Sequence, residues 1–301
     1  MAGIRKGTVG VVGTGDMGSA VGGALARAGY RVVTALDGRN AHSRALAESA
    51  GIEDLGSLEA VVRSVDLLLS IVPPAAAAGF AAAAARAMLA AGVRPTFADC
   101  NAVAPATVLA IERELAPAGA PFVDVGIVGR GPRPNGERTR FYVSGGARAA
   151  MLELAVGEIE LVDLGPEVGT ASALKMAYSA LNKGTDALLA AVLLAAERLD
   201  VRAPLMRELE FSQAEALARM RLRVPFLAAT AARFAPEMAE IATTYESVGV
   251  TPLFHRGAEW LYALLATTPL AGETRATLPR QRSLDDALAV FNAALTREAR
   301  S

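Results

Sequence analysis

The residues Thr8–Gly18 have the sequence TVGVVGTGDMG, which joins a strand signal to a glycine-rich turn. The β-branched run Thr8–Val12 predicts a buried strand, and a helix is predicted directly after the turn, over Ser19–Ala28. In Gly-x-Gly-x-x-Gly the first glycine allows a tight turn, the second lets a phosphate approach the backbone, and the third lets the helix pack on the strand. The N-terminus of the helix attracts phosphate. We therefore predict a dinucleotide-binding turn made of Gly13, Thr14, Gly15, Asp16, Met17 and Gly18.

Strands and helices continue to alternate as far as residue 165, which predicts an α/β Rossmann domain with a doubly wound, mostly parallel sheet. The further predicted strands are Tyr30–Leu36, Asp66–Val72, Pro95–Asp99, Phe122–Val128 and Phe141–Ser144. Val72 and Pro73, where the second of these strands stops, are expected to contact the cofactor.

The pattern changes near Gly165, after which helical periodicity dominates and strand signals nearly vanish. The predicted helices are Thr170–Leu199, Met206–Leu222, Glu237–Ser247, His255–Leu265 and a last one to Ala299 that opens with a capping sequence at Ser283. We therefore predict two domains: an NAD(P)-binding Rossmann domain over residues 1–165, and an all-α substrate and dimerisation domain over residues 166–301.

Composition narrows the class of protein. The net charge of −1 and pI near 6.2 give no electrostatic case for nucleic acid or an anionic membrane surface as partner. Much of the 52% hydrophobic content is alanine, and we predict no membrane-spanning helix. The single cysteine, Cys100, excludes an intrachain disulfide, and the two histidines lie far apart, so no metal site is predicted. We expect a cytoplasmic enzyme without a metal.

The choice of cofactor depends on the end of the second strand. Where NAD-binding domains place an acid for the ribose hydroxyls, the usual register gives Leu36, with Asp37 one residue later. Arg39 follows, and its guanidinium suits the 2′-phosphate of NADP. We therefore expect NADP (as NADPH) rather than NAD, with Arg39 in the site.

With these motifs the chain resembles the β-hydroxyacid dehydrogenase family, which includes 3-hydroxyisobutyrate and 6-phosphogluconate dehydrogenases. The segments that carry the resemblance are the opening GTGDMG, DCNAVAP at 99–105, DVGIVG at 124–129 and GTASALK at 169–175. The helical half is most similar to a poorly characterised phosphogluconate-dehydrogenase-like subgroup. The resemblance implies that Lys175 is catalytic, that Asn101 lies near the nicotinamide and substrate, and that Gly129 belongs to the substrate loop.

The chain departs from the family pattern at several site positions, so oxidative decarboxylation of 6-phosphogluconate itself is not expected. The departures are Val128 for the loop serine, Tyr178 for a histidine, Ser179 for an asparagine, Asn182 for an acid glutamate and Pro236 for a second lysine.

Helical spacing adds candidates around Lys175. Tyr178, Ser179 and Asn182 recur at three and four residues and share its face, as does Asp186, so we predict a catalytic stripe. A solvated polar face is the alternative interpretation. Arg130, in the irregular loop 126–140, is a candidate for binding a substrate anion, and an ordinary charged surface loop is the alternative.

These observations predict an NADPH-preferring oxidoreductase that transfers hydride between the nicotinamide and a small hydroxyl or carbonyl compound. An imine reductase on the same fold and a non-catalytic NADP-binding sensor are the rival interpretations. Because the helix Thr170–Leu199 is apolar over most of its circumference, a homodimer that buries it is expected.

Overall fold

A computed structural model of the chain describes residues 7–274, 277–279 and 281–298. The chain divides into two compact units, Met1–Met176 and Ala177–Ser301. The division falls inside a long helix, Thr170–Arg198, rather than at residue 165 as the sequence predicted. The first two turns of that helix therefore belong to the same unit as the glycine-rich turn.

The first unit is built on one eight-stranded sheet. Its strands are β1 Thr8–Val12, β2 Arg31–Thr34, β3 Glu53–Asp54, β4 Leu67–Ser70, β5 Thr96–Asp99, β6 Phe122–Val128, β7 Thr139–Ser144 and β8 Ile159–Asp163. Their order is β3-β2-β1-β4-β5-β6-β7-β8, and every neighbouring pair is parallel except β6 and β7. The predicted doubly wound, mostly parallel Rossmann sheet is confirmed, and its strand order reverses between β1 and β4.

The helices that follow the strands of this unit are α1 Asp16–Arg27, α2 Ala41–Ser49, α3 Leu58–Ser64, α4 Pro74–Ala91, α5 Pro105–Leu115 and α6 Ala149–Leu152. Side chains cap two of them. The side chain of Asn40 accepts a hydrogen bond from the Ser43 N–H at 2.8 Å and starts α2, and Ser57 starts α3 in the same way. The short elements β3, β8 and α6 were not predicted. Both strands are at the edges of the sheet and carry exposed acids, which obscure the apolar pattern.

Two apolar clusters cover the two faces of the sheet. One joins strand residues such as Val9 and Val11 to α1, and the other joins Val12 and Leu68 to α3, α4 and α5. By length and composition alone, α4 is apolar enough to cross a membrane. It is the crossover between β4 and β5, and its alanine face packs in the second cluster, which accounts for its composition.

The second unit is helical, and α7 (Thr170–Arg198) leads into it. Its other helices are α8 Arg202–Ser212, α9 Ala214–Arg223, α10 Ala228–Ser247, α11 Leu253–Ala266 and α12 Leu284–Glu298. The predicted helix over 206–222 is two helices, because the backbone leaves helical geometry at Gln213. α10 begins well before Pro236, which lies inside it. Ser283 caps α12 as predicted, and Ala299 lies outside the described residues.

Buried ion pairs connect the helices of this unit. The carboxylate of Asp186, on α7, binds the guanidinium groups of both Arg219 and Arg223 on α9. Lys183 pairs with Glu237 on α10, and its ammonium group lies 4.7 Å from the centre of the Phe234 ring. Both acids are buried and paired, so we interpret these ion pairs as contacts that hold the helices of this unit together.

Candidate functional site

The glycine-rich turn between β1 and α1 has the geometry that a phosphate-binding turn needs. Gly13 has a φ of +99°, and a Cβ there would lie 2.2 Å from the carbonyl oxygen of Ile71. A Cβ on Gly18 would lie 2.0 Å from the carbonyl oxygen of Gly13, so only glycine lets α1 pack this closely. At Gly15 no atom lies within 4 Å of the Cβ position. The turn is therefore closed on the protein side and open where a pyrophosphate would approach the start of α1.

The other predicted members of this turn lie where the motif requires. Asp16 is the first residue of α1 and Met17 the second, and no side chain caps this helix end. The hydroxyl of Thr14 donates to the carbonyl oxygen of Ser43 at 3.1 Å, which ties the turn to α2. The residues present thus fit a dinucleotide phosphate at this end of the helix.

Asn101 is buried just past the carboxyl end of β5, and its side-chain amide is engaged by the protein. Its oxygen accepts from the Val72 N–H at 2.7 Å, while its nitrogen donates to Ser70 at 2.9 Å and to Asp99 at 2.7 Å. Both amide hydrogens are used within the protein, so the side chain fixes the turn at Val72 and Pro73. Its contact with the nicotinamide or the substrate, which the resemblance implied, stays a prediction.

Four buried polar side chains lie side by side across the same part of the sheet. Register pairs Ser70 with Asp99, Asp99 with Asp124, and Asp124 with Ser144. Burial raises the pKa of Asp99 to about 7, against the two hydrogen bonds from Asn101, and the charge of Asp124 adds to the rise. Asp99 therefore titrates near neutral pH.

Asp124 holds the start of α7. Its carboxylate accepts from the backbone N–H groups of Gly169 at 2.9 Å and Ser172 at 3.1 Å, and from the hydroxyls of Ser172 at 2.7 Å and Ser144 at 3.1 Å. Burial raises the pKa of Asp124, and these four donors oppose the rise. A negative group among the first N–H groups of a helix is stabilised by the helix dipole.

Lys175 lies on α7, one turn after Ser172, and packs against the same strand. A Cβ on Gly126 would lie 2.6 Å from the Ala171 carbonyl oxygen and 3.2 Å from the Lys175 Cβ, so glycine allows this close approach. The Lys175 ammonium group donates to the carbonyl oxygen of Ile127. Its side chain is half-buried and points along β6 towards the carboxyl end of the strand.

The remaining residues of the predicted stripe lie in the second unit. Ser179 is buried and Tyr178 is 45% exposed. The backbone carbonyl of Asn182 accepts from Arg219 at 2.8 Å. Asp186, which shares this face of α7, forms ion pairs with Arg219 and Arg223 of α9. Part of the stripe is thus a tertiary contact between helices.

The irregular loop after β6 approaches the start of α1. A Cβ on Gly131 would lie 2.9 Å from the Ala20 Cβ and 3.7 Å from the sulfur of Met17. Gly129 has a φ of +107°, so it adopts a turn that favours glycine. The carbonyl oxygen of Arg130 is fixed by the Thr139 hydroxyl at 2.6 Å, and its exposed side chain has no ion pair among the described residues.

The four arginines of this loop have different surroundings. Arg138 and Arg140 turn to β8, where Arg138 donates to the Ile159 carbonyl oxygen and Arg140 pairs with Glu160. The side chain of Arg133 lies against Gly136 in the same loop. Arg130 is therefore the member whose surroundings best suit an external anion.

At the end of β2, two arginines have different surroundings. Arg44 is held by the carbonyl oxygens of Leu36 and Arg39 and lies 3.8 Å from Asp54. Leu36, which the usual register places at the ribose, is buried, and the acid that follows it, Asp37, is exposed. The guanidinium of Arg39 is exposed and makes no hydrogen bond or ion pair within the described ranges.

Sequence reasoning missed the residues that position Lys175. Asp124, Ser144 and Ser172 were not singled out. Asp124 and Ser172 lie in the segments DVGIVG and GTASALK, but their contact with each other depends on the fold and not on either segment alone. One compositional signal was available for the lysine: of 30 basic residues only Lys6, Lys175 and Lys183 are lysines. Most basic residues of this chain are arginine, which stays protonated. A lysine at a half-buried site on α7, such as Lys175, can lose its proton, which is the property that acid–base chemistry needs.

We predict that Gly15→Ala and Gly18→Ala separate binding from folding. Gly15→Ala leaves the melting temperature nearly unchanged, because its Cβ meets nothing and its φ of −75° suits alanine, yet it weakens dinucleotide binding at least tenfold. Gly18→Ala lowers the melting temperature, because its Cβ collides with backbone. Calorimetry and a fluorescence titration with NADPH measure both. Unchanged affinity in Gly15→Ala would contradict the placement of the phosphates.

Comparisons with known proteins agree with this geometry. The family model described as the NAD binding domain of 6-phosphogluconate dehydrogenase matches residues 8–155. A domain of unknown function, DUF1932, matches residues 196–265. A search of curated proteins finds no match.

Three solved structures illustrate the similarity. A conserved hypothetical protein from Sinorhizobium meliloti 1021 is 27% identical, with 97% of each chain covered and a TM-score of 0.64. A conserved protein of unknown function, described as structurally similar to 3-hydroxyacid dehydrogenases, is 27% identical, with 86% of this chain and 96% of that chain covered and a TM-score of 0.62.

The third shows the fold alone. The 3-hydroxyisobutyrate dehydrogenase of Mycobacterium tuberculosis is 16% identical, with 94% of this chain and 98% of that chain covered and a TM-score of 0.64. Taken with the glycine-rich turn and the sheet order, the family-model match shows that residues 8–155 form an NAD binding domain of the 6-phosphogluconate dehydrogenase type, and the chain is an NAD(P)-dependent oxidoreductase.

Proposed function

We propose that the protein is an NADPH-preferring dehydrogenase or reductase that acts on a small hydroxyl or carbonyl compound, with Lys175 as its proton donor and acceptor. The observation that carries the proposal is the placement of the Lys175 ammonium group at the Ile127 carbonyl, near the carboxyl end of β6. The glycine-rich turn follows β1 and Asn101 follows β5, at this same edge of the sheet. Ligands of open α/β sheets bind along that edge.

The chemistry needs a group that exchanges a proton at the substrate oxygen. The nicotinamide cofactor, when bound, supplies or accepts the hydride at carbon. Lys175 in its ammonium form donates a proton to the carbonyl oxygen as the alcohol forms, and in its amine form it removes the hydroxyl proton in the reverse direction. Lysine suits both directions because its ammonium group can lose a proton, which a guanidinium does not do in proteins.

Arg130 is proposed to bind an anionic group of the substrate. Its turn is fixed by Thr139, and Gly131 brings the loop against α1, close to where the cofactor phosphates are expected. A guanidinium binds a carboxylate or phosphate through two parallel hydrogen bonds. Small hydroxy acids are therefore the first substrates to test. Three residues that follow Lys175 along α7 remain predicted to contact the substrate: Tyr178, Ser179 and Asn182.

The preference for NADPH rests on Arg39. Its exposed guanidinium follows β2, in the loop where the 2′ position of the ribose is recognised. The buried Leu36 offers no carboxylate for the ribose hydroxyls of NADH. A cytoplasmic location fits the reduced, buried thiol of Cys100.

Replacing Lys175 by alanine should lower kcat at least a hundredfold and leave the affinity for NADPH nearly unchanged, since general acid–base catalysis contributes roughly 10²–10⁴ in rate. The measurement is NADPH oxidation and NADP⁺ reduction over a panel of small hydroxy acids, aldehydes, ketones and cyclic imines. Lys175→Arg is the matched control, because it keeps the charge and cannot release the proton, and it should be as inactive as the alanine variant.

The same panel separates the rival functions. Near-normal turnover in a folded Lys175→Ala variant would contradict the role of the lysine. Turnover of cyclic imines alone would assign imine reduction instead. NADPH binding without turnover of any member would favour the sensor.

Arg39→Ala should weaken NADPH binding about tenfold or more and leave NADH binding unchanged, because only NADPH carries the 2′-phosphate. A lost charge-assisted hydrogen bond costs roughly 1.5–3 kcal/mol. Titrations of both cofactors against wild type and variant make the measurement, with Arg133→Ala as a control from another exposed loop. An equal loss for both cofactors would remove Arg39 from the 2′ position.

A homodimer is proposed through α7 of the second unit. Leu181 and Leu188 on this helix are 70% and 62% exposed, seven residues apart and therefore on one face. A second copy of the chain that covers this face would bury it through an isologous contact. Sedimentation at low micromolar concentration should give a dimer, and an active monomer of 31.0 kDa would contradict the proposal.

A further inference from the structure

β6 contacts the first two turns of α7 at three successive points. The carboxylate of Asp124 binds the N-terminus of the helix, Gly126 admits the Ala171 carbonyl oxygen, and the backbone of Ile127 accepts from the Lys175 ammonium group. Asp124 and Gly126 are two residues apart and face the same side of the strand. One strand therefore determines both where the helix starts and where the lysine lies.

The hydrogen bonds around Asp124 leave the helix little freedom to move. Ser172 contributes its hydroxyl and its N–H, and Ser144 donates to Asp124 while accepting from the Ala171 N–H at 3.1 Å. Asp124 and Ser144 are fully buried. Ser172 precedes Lys175 by three residues and Ala171 by four, so the residues held by this network lie on the face of α7 that carries the lysine.

The network also places a charge close to the lysine. The Lys175 ammonium group lies at the Ile127 carbonyl oxygen, three residues and on the order of 10 Å along the strand from Asp124. Every hydrogen bond described for the Asp124 side chain is donated to it, an arrangement that suits a carboxylate. A negative charge at this distance stabilises an ammonium group and offsets the positive end of the helix dipole.

We propose that Asp124 is a positioning residue: it fixes Lys175 against β6 and supplies the negative charge that keeps its ammonium group protonated. The proposal rests on the proposed function in so far as Lys175 is catalytic. The position and charge of Lys175 are properties of the free protein, so they are measurable without turnover.

Asp124 is the ionisable group that binds the junction itself, and other such groups are its neighbours. Asp99 on β5 is next to Asp124 in register, and Glu167 is exposed before α7. Tyr178 and Lys183 follow Lys175 along the helix by three and eight residues. Loss of the Asp124 charge is therefore the change expected to act most strongly on Lys175.

The test uses the small number of lysines. Reductive methylation with ¹³C-formaldehyde labels Lys6, Lys175, Lys183 and the N-terminus, and Lys175→Arg assigns the Lys175 resonance. A pH titration of that resonance in the full-length protein should give a pKa lower by roughly 0.5–1 unit in Asp124→Asn than in wild type. The kcat should fall at least tenfold, with the KM for NADPH unchanged.

Two control variants separate charge from position. Gly126→Ala keeps the carboxylate and displaces the helix, so kcat should fall while the pKa of Lys175 moves less than in Asp124→Asn. Ser144→Ala keeps the charge and removes two hydrogen bonds at the junction. If Asp124→Asn does not fold, a lower kcat in Ser144→Ala with an unchanged KM for NADPH supports the positioning role.

An unchanged Lys175 pKa in folded Asp124→Asn would overturn the proposal whatever the kinetics, as would an unchanged kcat in Ser144→Ala. Full activity of Lys175→Ala would overturn the catalytic role of the lysine and leave the titration result standing.

Discussion

The buried carboxylate of Asp124 is the contact on which the site depends. A carboxylate buried in a sheet is costly unless donors surround it, and here four donors do so, two of them from the backbone at the start of α7. Without them the charge would be unsatisfied, and without the charge the helix end would lose its cap. The strand and the helix are therefore mutually dependent, and Lys175 lies two turns into a helix whose start is fixed.

The same edge of the sheet gathers the remaining groups. Glycine is required at Gly13 and Gly18 by backbone atoms 2.2 and 2.0 Å from the Cβ positions, and the open space at Gly15 faces the expected phosphates. Asn101 connects the ends of β4 and β5 and holds the turn at Val72. These contacts limit the freedom of this edge of the sheet, which preorganises it for a bound dinucleotide.

Much of the fold was predictable because local signals agreed with the final structure. Apolar strands separated by capped helices gave the Rossmann sheet, and Asn40, Ser57 and Ser283 marked helix starts through residue type alone. The edge strands β3 and β8 escaped prediction since their exposed acids break the alternation. The division inside α7 was not predicted because helical periodicity is continuous there. The contacts of Asp124 that bind the first turns of α7 to the sheet come from 45 residues earlier in the chain.

The candidate site was predictable only where a residue carries a motif. The glycines and Lys175 have roles that their motifs imply. Asp124 also lies in a motif segment, DVGIVG, but its positioning role arises from register and from a helix end far away in sequence. Helical spacing alone placed Asp186 on the predicted stripe, although α9 neutralises it. The resemblance placed Asn101 near the nicotinamide and the substrate, but it did not predict the hydrogen bonds by which Asn101 connects the ends of β4 and β5.

The central claim is that β6 holds Lys175 beside the nicotinamide. The most direct measurement is the ¹³C spectrum of the methylated protein during titration with NADPH, since it needs no knowledge of the substrate. The Lys175 resonance should move as NADPH saturates the site, because the nicotinamide ring then lies next to its ammonium group. A Lys175 resonance that stays at its free position while NADPH is fully bound would contradict the account.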